Sequence, residues 1–563
     1  MKLTRILGTF AFVAAWAVSC TARTDAEGDD WGVYPDETDG WRSELYPADW
    51  TPGYKDAQGR FLHDFSYAGY HSGLKDIPSY DFNLTDVTAS PYNADNTGVR
   101  DATSAIQKAI DDVSSKGGGV VYLPAGTYLV SLPEGSSSIL SVTSDNVVIR
   151  GDGPDRTFIK NSTWKMRSKT IISFHGNASW DSPQGAEALI SKDVYQPVTV
   201  VPVDGAGNFA PGDKIMIRSD ITDAFRQEFN ATQHWSTLTK GPHFLREVVS
   251  VDAAAGTIEI DVPTRYRLLT RDNARVYKVK DQLKECGLEN LSVGNLQHPS
   301  GQGWGEEDYN TSGNGAYDVH ASHAVKFRNA ENCWARKVYT YRPEENTGDI
   351  HLLSNGLEIG DSRFITVTEC NFQKSQYEGG GGNGYMYTLS GNDCLIDRCH
   401  AEDGRHNYDF KSMTTSGNVV YKCTSKSPSL KSDFHMHLSM ANLFDGFVAD
   451  GDHIDAGFRP YGTSTAKHMY TTTESVIWNT TCLSDGEGIC VLSKQYGNGY
   501  VIGTSGAVTE VRTQPVSGTQ SGVDYDTSPE DWVEGAGMGS SLVPQSLYKD
   551  QLEKRKARIA NGQ

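Results

Sequence analysis

Long apolar runs are what this chain lacks. Only the stretch from Ile6 to Val18 is continuously apolar, and it is shorter than the roughly 20 residues that a bilayer-crossing helix needs. Positive charge is also short. Lys and Arg number 51 against 71 Asp and Glu, for a formal net charge of −20. That balance disfavours nucleic acid and anionic membrane surfaces as partners. No Walker sequence occurs, and no Gly-x-Gly-x-x-Gly opens a helix after a strand, so the familiar nucleotide-binding loops are excluded. Cysteine is scarce, at nine residues.

What is present begins with a targeting pattern. Lys2 and Arg5 precede the apolar run, which ends Ala17-Val18-Ser19-Cys20. Residues 1–20 therefore read as a bacterial-type export signal. The last four resemble a lipobox with Ala17 in place of the usual leucine, so Cys20 is a candidate outer-membrane lipid anchor. The protein is expected in the periplasm, on the cell surface or secreted. Residues 21–90 read as an acidic, polar tether and leading segment.

Residues 93–130 are the most informative stretch. Turn chemistry at Asp95-Asn96-Thr97-Gly98 is followed by a helix over 103–115. Ser104 and Gln107 are spaced as a capping box, and Ile106, Ala109, Ile110 and Val113 recur on one face. Gly117-Gly118-Gly119 ends it, and two short apolar strands follow around Pro124-Ala125-Gly126. This ordered string resembles the N-terminal cap and first coil of the pectate-lyase-like right-handed parallel β-helices. The resemblance implies an all-β solenoid over about 91–515 with a helix plugging one end. It names a fold and leaves the reaction open.

Repeats extend the pattern. Taking Asn332, Arg363, Asp393, Asn418 and Ser475 as equivalent gives steps of 31, 30, 25 and 57 residues, the last about two coils. Cys370, Cys399, Cys423 and Cys482 close equivalent strands in this alignment. An even count of eight cysteines beyond Cys20 would also suit disulfides, but a common interior position favours stacked thiols for most of them. Residues 195–265 alternate differently and carry hairpin signals, so a small antiparallel insertion is expected there. Residues 516–563 form a tail with a closing helix over 547–559.

Chemistry concentrates in 374–437. In a strand over 433–438, Asp433, His435 and His437 share one face, and Phe434, Met436 and Leu438 the other. The apolar set must face inward, so the Asp and both His face the groove. Such a set can transfer protons, or hold a divalent metal, or simply be a polar outer face. In 405–411, alternation puts His406, Tyr408 and Phe410 on one side and Arg405, Asn407, Asp409 and Lys411 on the other. A buried His406 is one outcome. The other is that Gly404 breaks the register and leaves both Arg405 and His406 in the groove. The candidate catalytic set is Arg405, His406, His435, Tyr408 and Lys411. Lys374, Tyr377, Asn407, Asp433 and His437 are candidate substrate contacts.

Local basicity suits an anionic polysaccharide, and a monomer is expected. A lyase acting on a uronic-acid polymer needs a cation for the C5 carboxylate, a base and an acid. This is the leading reading. A glycoside hydrolase needs two flanking carboxyls, and Glu358, Asp361, Glu378, Asp403 and Asp433 are available. The N-T-D, D-D, G-H-G and R-I-K order of polygalacturonase-like β-helices is absent. A non-catalytic carbohydrate-binding surface protein is the third reading.

Overall fold

The computed structural model describes residues 40–513 and 529–562. The export signal and Cys20 lie outside them. The helix Thr103–Ser115 buries Ile106, Ala109, Ile110 and Val113 against the first coils. Each of the Ile and Val side chains contributes roughly 1.5–3 kcal/mol. The expected capping box does not form. Asp101 accepts from the Thr103 N–H at 2.7 Å, while Gln107 reaches across to the Ser141 backbone.

Beyond this cap the chain coils as a right-handed parallel β-helix. Register in the later coils stacks Trp334, Thr366, Leu395, Val419, Leu443 and Val476, with steps of 32, 29, 24, 24 and 33 residues. The 57-residue interval is thus two coils. One corner holds Asn332, Phe364, Asp393, Ala441 and Glu474 in the left-handed region, each at φ between 50° and 55°. Non-glycine residues seldom sit there. Stacking repeats the corner in every coil, so one backbone solution serves all of them.

Two interior ladders follow from the same register. Cys370, Cys399 and Cys423 stack, each backbone N–H meeting the next sulfur at 3.4 Å from Cys370 to Cys399 and from Cys399 to Cys423. A second row runs Cys394, Asn418, Asn442 and Ser475, linked by side-chain acceptors at 2.8 to 3.1 Å. All eight described cysteines are free and buried. Cys482 is not in the first ladder. Val448 pairs with Thr481 and Ala449 with Cys482, so Thr480 takes the ladder position.

The antiparallel insertion is wider than its sequence pattern. Its six strands run from Glu187–Leu189 to Arg275–Lys278 and enclose a separate apolar core. Residues 40–90 are a belt along one solenoid face. Leu45, Tyr46, Trp50, Leu62 and Phe65 pack there with Val419, Leu443, Trp478 and the C-terminal helix Leu547–Ala560. The solenoid also continues past 515, because Trp532–Glu534 pairs in parallel with Tyr500–Gly506.

The sheet that matters for function has ten strands in one path: β1 (Ser138–Val142), β2 (Thr170–His175), β3 (His323–Arg328), β4 (Asn355–Arg363), β5 (Tyr385–Asn392), β6 (His406–Lys411), β7 (Ser432–Met436), β8 (Ile454–Ala456), β9 (Val491–Ser493) and β10 (Val511–Arg512). Its inner face carries Phe174, Phe327, Ile359, Leu389, Phe410 and Phe434.

Candidate functional site

Register places one polar row on the outer face of this sheet. Ser141, Ser173, Lys326, Glu358, Thr388, Asp409, Asp433 and Asp455 are successive partners from β1 to β8. A second row sits where the strands begin: Thr170, His323, Asn355, Tyr385 and His406. By strict alternation His406 belongs inside with Tyr408. The chain bends at the start of β6, just after Gly404, and the His406 ring joins the outer groove instead.

Asp433 is the centre of the site and is fully buried. One carboxylate oxygen takes three partners: Arg459 Nη1 at 2.6 Å, His435 Nδ1 at 2.9 Å and His406 Nδ1 at 3.2 Å. His406 Nδ1 also lies 2.6 Å from the Lys431 carbonyl oxygen. Two acceptors at Nδ1 fix the proton there, so Nε2 keeps its lone pair. His435 Nδ1 has one acceptor, Asp433 at 2.9 Å, with the Arg459 guanidinium 3.3 Å away; with the proton on Nδ1 toward Asp433, its Nε2 lies 3.3 Å from the Tyr385 hydroxyl. Tyr385 therefore donates to a neutral imidazole that Asp433 orients.

Burial, helped by Arg459 and Lys411, holds His435 well below the ordinary histidine range. Burial holds His406 down to about 3 and His468 to about 4. The Tyr385 phenol is pushed up to about 12, mainly by burial. Burial and the facing Asp433 carboxylate push Asp409 up to about 7, against the pull of Lys411 at 3.2 Å. Lys411 lies 3.8 Å over the Tyr385 ring. His435 keeps 13% of its side chain exposed and Lys411 20%, so the groove reaches both.

A cavity of about 350 Å³ extends from Tyr385 and Lys411 toward earlier coils, lined also by His323, Lys326 and Glu358. Glu358 accepts from His323 at 2.7 Å and Lys326 at 2.8 Å, and these two partners hold its carboxyl well below the usual range despite burial. A cavity of about 410 Å³ opens on another face, beside His71 and Lys214, away from this chemistry.

His406, Asp433, His435 and Lys411 are thus brought together. Other sequence candidates are not. Tyr408 stacks on Tyr387 inside the coil, with ring centroids 5.0 Å apart, and donates to the Cys399 carbonyl, because its neighbour Asp409 takes the outer face. Asn407 is buried and donates to Ser425 at 2.8 Å, bracing the corner. Tyr377 donates to the Glu306 carbonyl and anchors a loop. Lys374 pairs with Glu402 and Asp403 at a separate cavity of about 330 Å³. Arg405 borders the groove, but its fork is occupied by Glu306 at 2.7 Å and the Gly379 carbonyl at 2.5 Å. His437 turns to the Ala466 carbonyl and faces His468.

Sequence reasoning passed over Tyr385, Asp409, Arg459 and His468. The row register would have found the first two. Arg459 and His468 come from a hairpin, Phe458–Thr463 with Ala466–Tyr470, whose fold-back carries no local signal toward His435. The ligand atoms of His406, Asp433 and His435 lie within 4.8 Å of one another, a grouping that could hold a metal. The Arg459 guanidinium already stands among them, 2.6 Å from Asp433 and 3.3 Å from His435 Nδ1, and supplies the positive charge.

The coiled fold defines the class: it is a parallel β-helix of the kind the pectate-lyase-like proteins have. Residues 86–194 match the family model described as rhamnogalacturonase A/epimerase, pectate lyase-like. Among curated proteins of Azotobacter vinelandii, the chain is 45% identical to mannuronan C5-epimerase AlgE5 over 80 residues, which is 14% of this chain and 8% of that one. It is 41% identical to mannuronan C5-epimerase AlgE6 over 133 residues, 23% and 14% of the two chains. It is 44% identical to alginate lyase 7 over 69 residues, 12% and 8%. The chain thus spans no more than 14% of the length of these relatives. Among solved structures, the tailspike gp49 of Pseudomonas phage LKA1 aligns with a TM-score of 0.40 at 12% identity, covering 76% of this chain and 77% of that one.

Proposed function

We propose that the protein is an exported enzyme that cleaves a uronic-acid polysaccharide by β-elimination. The observation that carries this is the outward-facing Asp433–His435–Tyr385 relay beside Lys411. His435 Nε2 takes the C5 proton of a bound uronate. The electron pair forms the C4–C5 double bond, the C4–O bond breaks, and the leaving oxygen takes the Tyr385 proton. The proton on His435 then returns to the Tyr385 oxygen along their hydrogen bond, and the site is reset. Lys411 sits where it can neutralise the sugar carboxylate as charge develops at C5.

Hydrolysis is less well supported. One Asp433 oxygen is engaged by Arg459, His435 and His406, and Glu358 is engaged by His323 and Lys326, so both carboxyls are tied into ion pairs rather than placed as a free acid–base pair across a bond. The names of the curated relatives favour one second reading, C5 epimerisation, in which the same carbanion is reprotonated on its opposite face. The short His435–Tyr385 distance supports elimination instead, because both groups then act from one side of the sugar.

The test is incubation with alginate, polymannuronate and polygalacturonate in heavy water. Elimination yields ultraviolet-absorbing unsaturated ends. Epimerisation yields deuterium at C5 in chains of unchanged length. Neither product from any of the three would overturn the proposal.

A further inference from the structure

The outer row of the functional sheet is open on one side of the site and blocked on the other. Toward earlier coils it continues through Asp409, Thr388, Glu358 and Lys326 into the cavity described above. Four interstrand steps separate Lys326 from Asp433, about 19 Å at the usual strand spacing, enough for a short oligosaccharide. Toward later coils the next strand, β8, ends at Ala456, and after Gly457 the hairpin of residues 458–470 rises from it. Arg459 binds Asp455 at 2.8 Å as well as Asp433. The His468 ring lies 4.8 Å from that of His435. The hairpin forms a wall directly beyond the relay.

The wall is braced from behind. The Lys467 N–H donates to the His234 carbonyl at 3.0 Å, and the Trp235 indole donates to the Lys467 carbonyl at 2.8 Å. Met469 is buried in the apolar core of the antiparallel insertion. A hairpin standing alone is marginal in water. Here the insertion holds it, which gives that 90-residue excursion from the solenoid a role.

We infer that the groove is blind, and that the enzyme acts on chain ends. A polysaccharide end enters over Lys326 and Glu358, and its terminal uronate stops against Arg459 and His468 with its neighbouring bond over His435 and Tyr385. The inference rests on the proposed uronate chemistry for its substrate class, and on the wall alone for its mode.

Two measurements separate these. In calorimetric titration with alginate fractions of increasing length, a blind groove binds one protein per chain whatever the length. An open groove binds several proteins on each long chain. In turnover, end action releases small unsaturated products from the first time point while viscosity falls slowly. Deleting Ser464 and Thr465 at the hairpin tip should open the wall, raise the number of proteins bound per long chain, and add mid-length products. Several proteins per long chain on the intact enzyme, or mid-chain scission by it, overturns the inference even where elimination is observed. One protein per chain without any unsaturated product upholds the blind groove and overturns the elimination chemistry. Absence of binding to every fraction overturns both.

Discussion

Asp433→Asn is the sharpest probe of the relay. The carboxylate accepts from Nδ1 of both His435 and His406. An asparagine can present its NH₂ to His435 Nδ1, which then becomes the acceptor and moves the ring proton to Nε2. That nitrogen could no longer receive a proton from C5 or from Tyr385. Loss of a positioned base costs about 10² to 10⁴ in rate, and the corresponding tautomer error in a serine-protease triad costs about 10⁴. A fall in kcat of about 10³-fold or more is expected, equal to roughly 4 kcal/mol of barrier. Stability should change less, because Arg459 keeps Asp455 at 2.8 Å and loses only one of two carboxylates. The assay is unsaturated-product formation on the best of the three polymers, with thermal melting of the same samples. Turnover within threefold of the parent enzyme, with the fold intact, would refute the relay.

Other expectations follow from the same geometry. Because burial keeps His435 neutral far below the free histidine value of about 6.5, kcat should show no acid limb near that pH, and its alkaline limb should follow Tyr385, pushed up to about 12; a bell centred on a free histidine would contradict the assignment. Tyr385→Phe should lower kcat by about 10² or more while leaving KM within a few-fold, measured on the same polymer; an unchanged kcat would remove the phenol from the reaction. Burial also pushes the Asp445 carboxyl up to about 7, where it accepts from Ser546 and the Tyr548 N–H at the start of the C-terminal helix. The folded state then holds a proton that the unfolded chain has released, so stability should fall as pH rises from about 4 to about 7, by at most ~4 kcal/mol from this group; Asp445→Asn should flatten that slope in melting temperature against pH. The export proposal predicts that Cys20→Ala abolishes incorporation of labelled fatty acid and releases the protein from membranes.

Much of the fold was legible because a β-helix writes its register into the chain. The spacing of Ile106, Ala109, Ile110 and Val113 gave the cap, and the coil steps gave the stacking direction. The two-residue period also gave Asp433 and His435 their outward face. It left His406 open between the inside and a register break after Gly404, and the ring follows the second, because the chain bends at Arg405 before β6 begins. It put Tyr408 on the side of Phe410, opposite Asp409, and the ring does lie inside against Tyr387, so Tyr408 drops out of the catalytic candidates. It credited Arg405 and Lys374 with free charge, yet their carboxylate partners Glu306, Glu402 and Asp403 are visible only once coils are stacked. Net local basicity from 398 to 431 is therefore mostly internal ion pairing.

The site divides by what positions it. Asp409, Lys411 and Asp433 are fixed by solenoid register, and His435 sits at the register shift between them: β6 and β7 pair Asp409 with Asp433, Phe410 with Phe434 and then Lys411 with Met436, and the stacked Phe410 and Phe434 rings lock both strands from inside. Arg459 and His468 are fixed by a hairpin that depends on the insertion. Changes to the first group should alter the chemical step wherever along the polymer it occurs. Changes to the insertion should act through the hairpin, altering which bond reaches the relay and, through Arg459, the charge beside Asp433. Proton transfer needs donor and acceptor within hydrogen-bond reach, and strands paired on both sides hold their side chains at fixed spacing. End selection tolerates more, because a wall need only exclude. The chemistry is thus carried by strands held on both sides by neighbouring strands, and the boundary of the groove by a hairpin held at its tip and base.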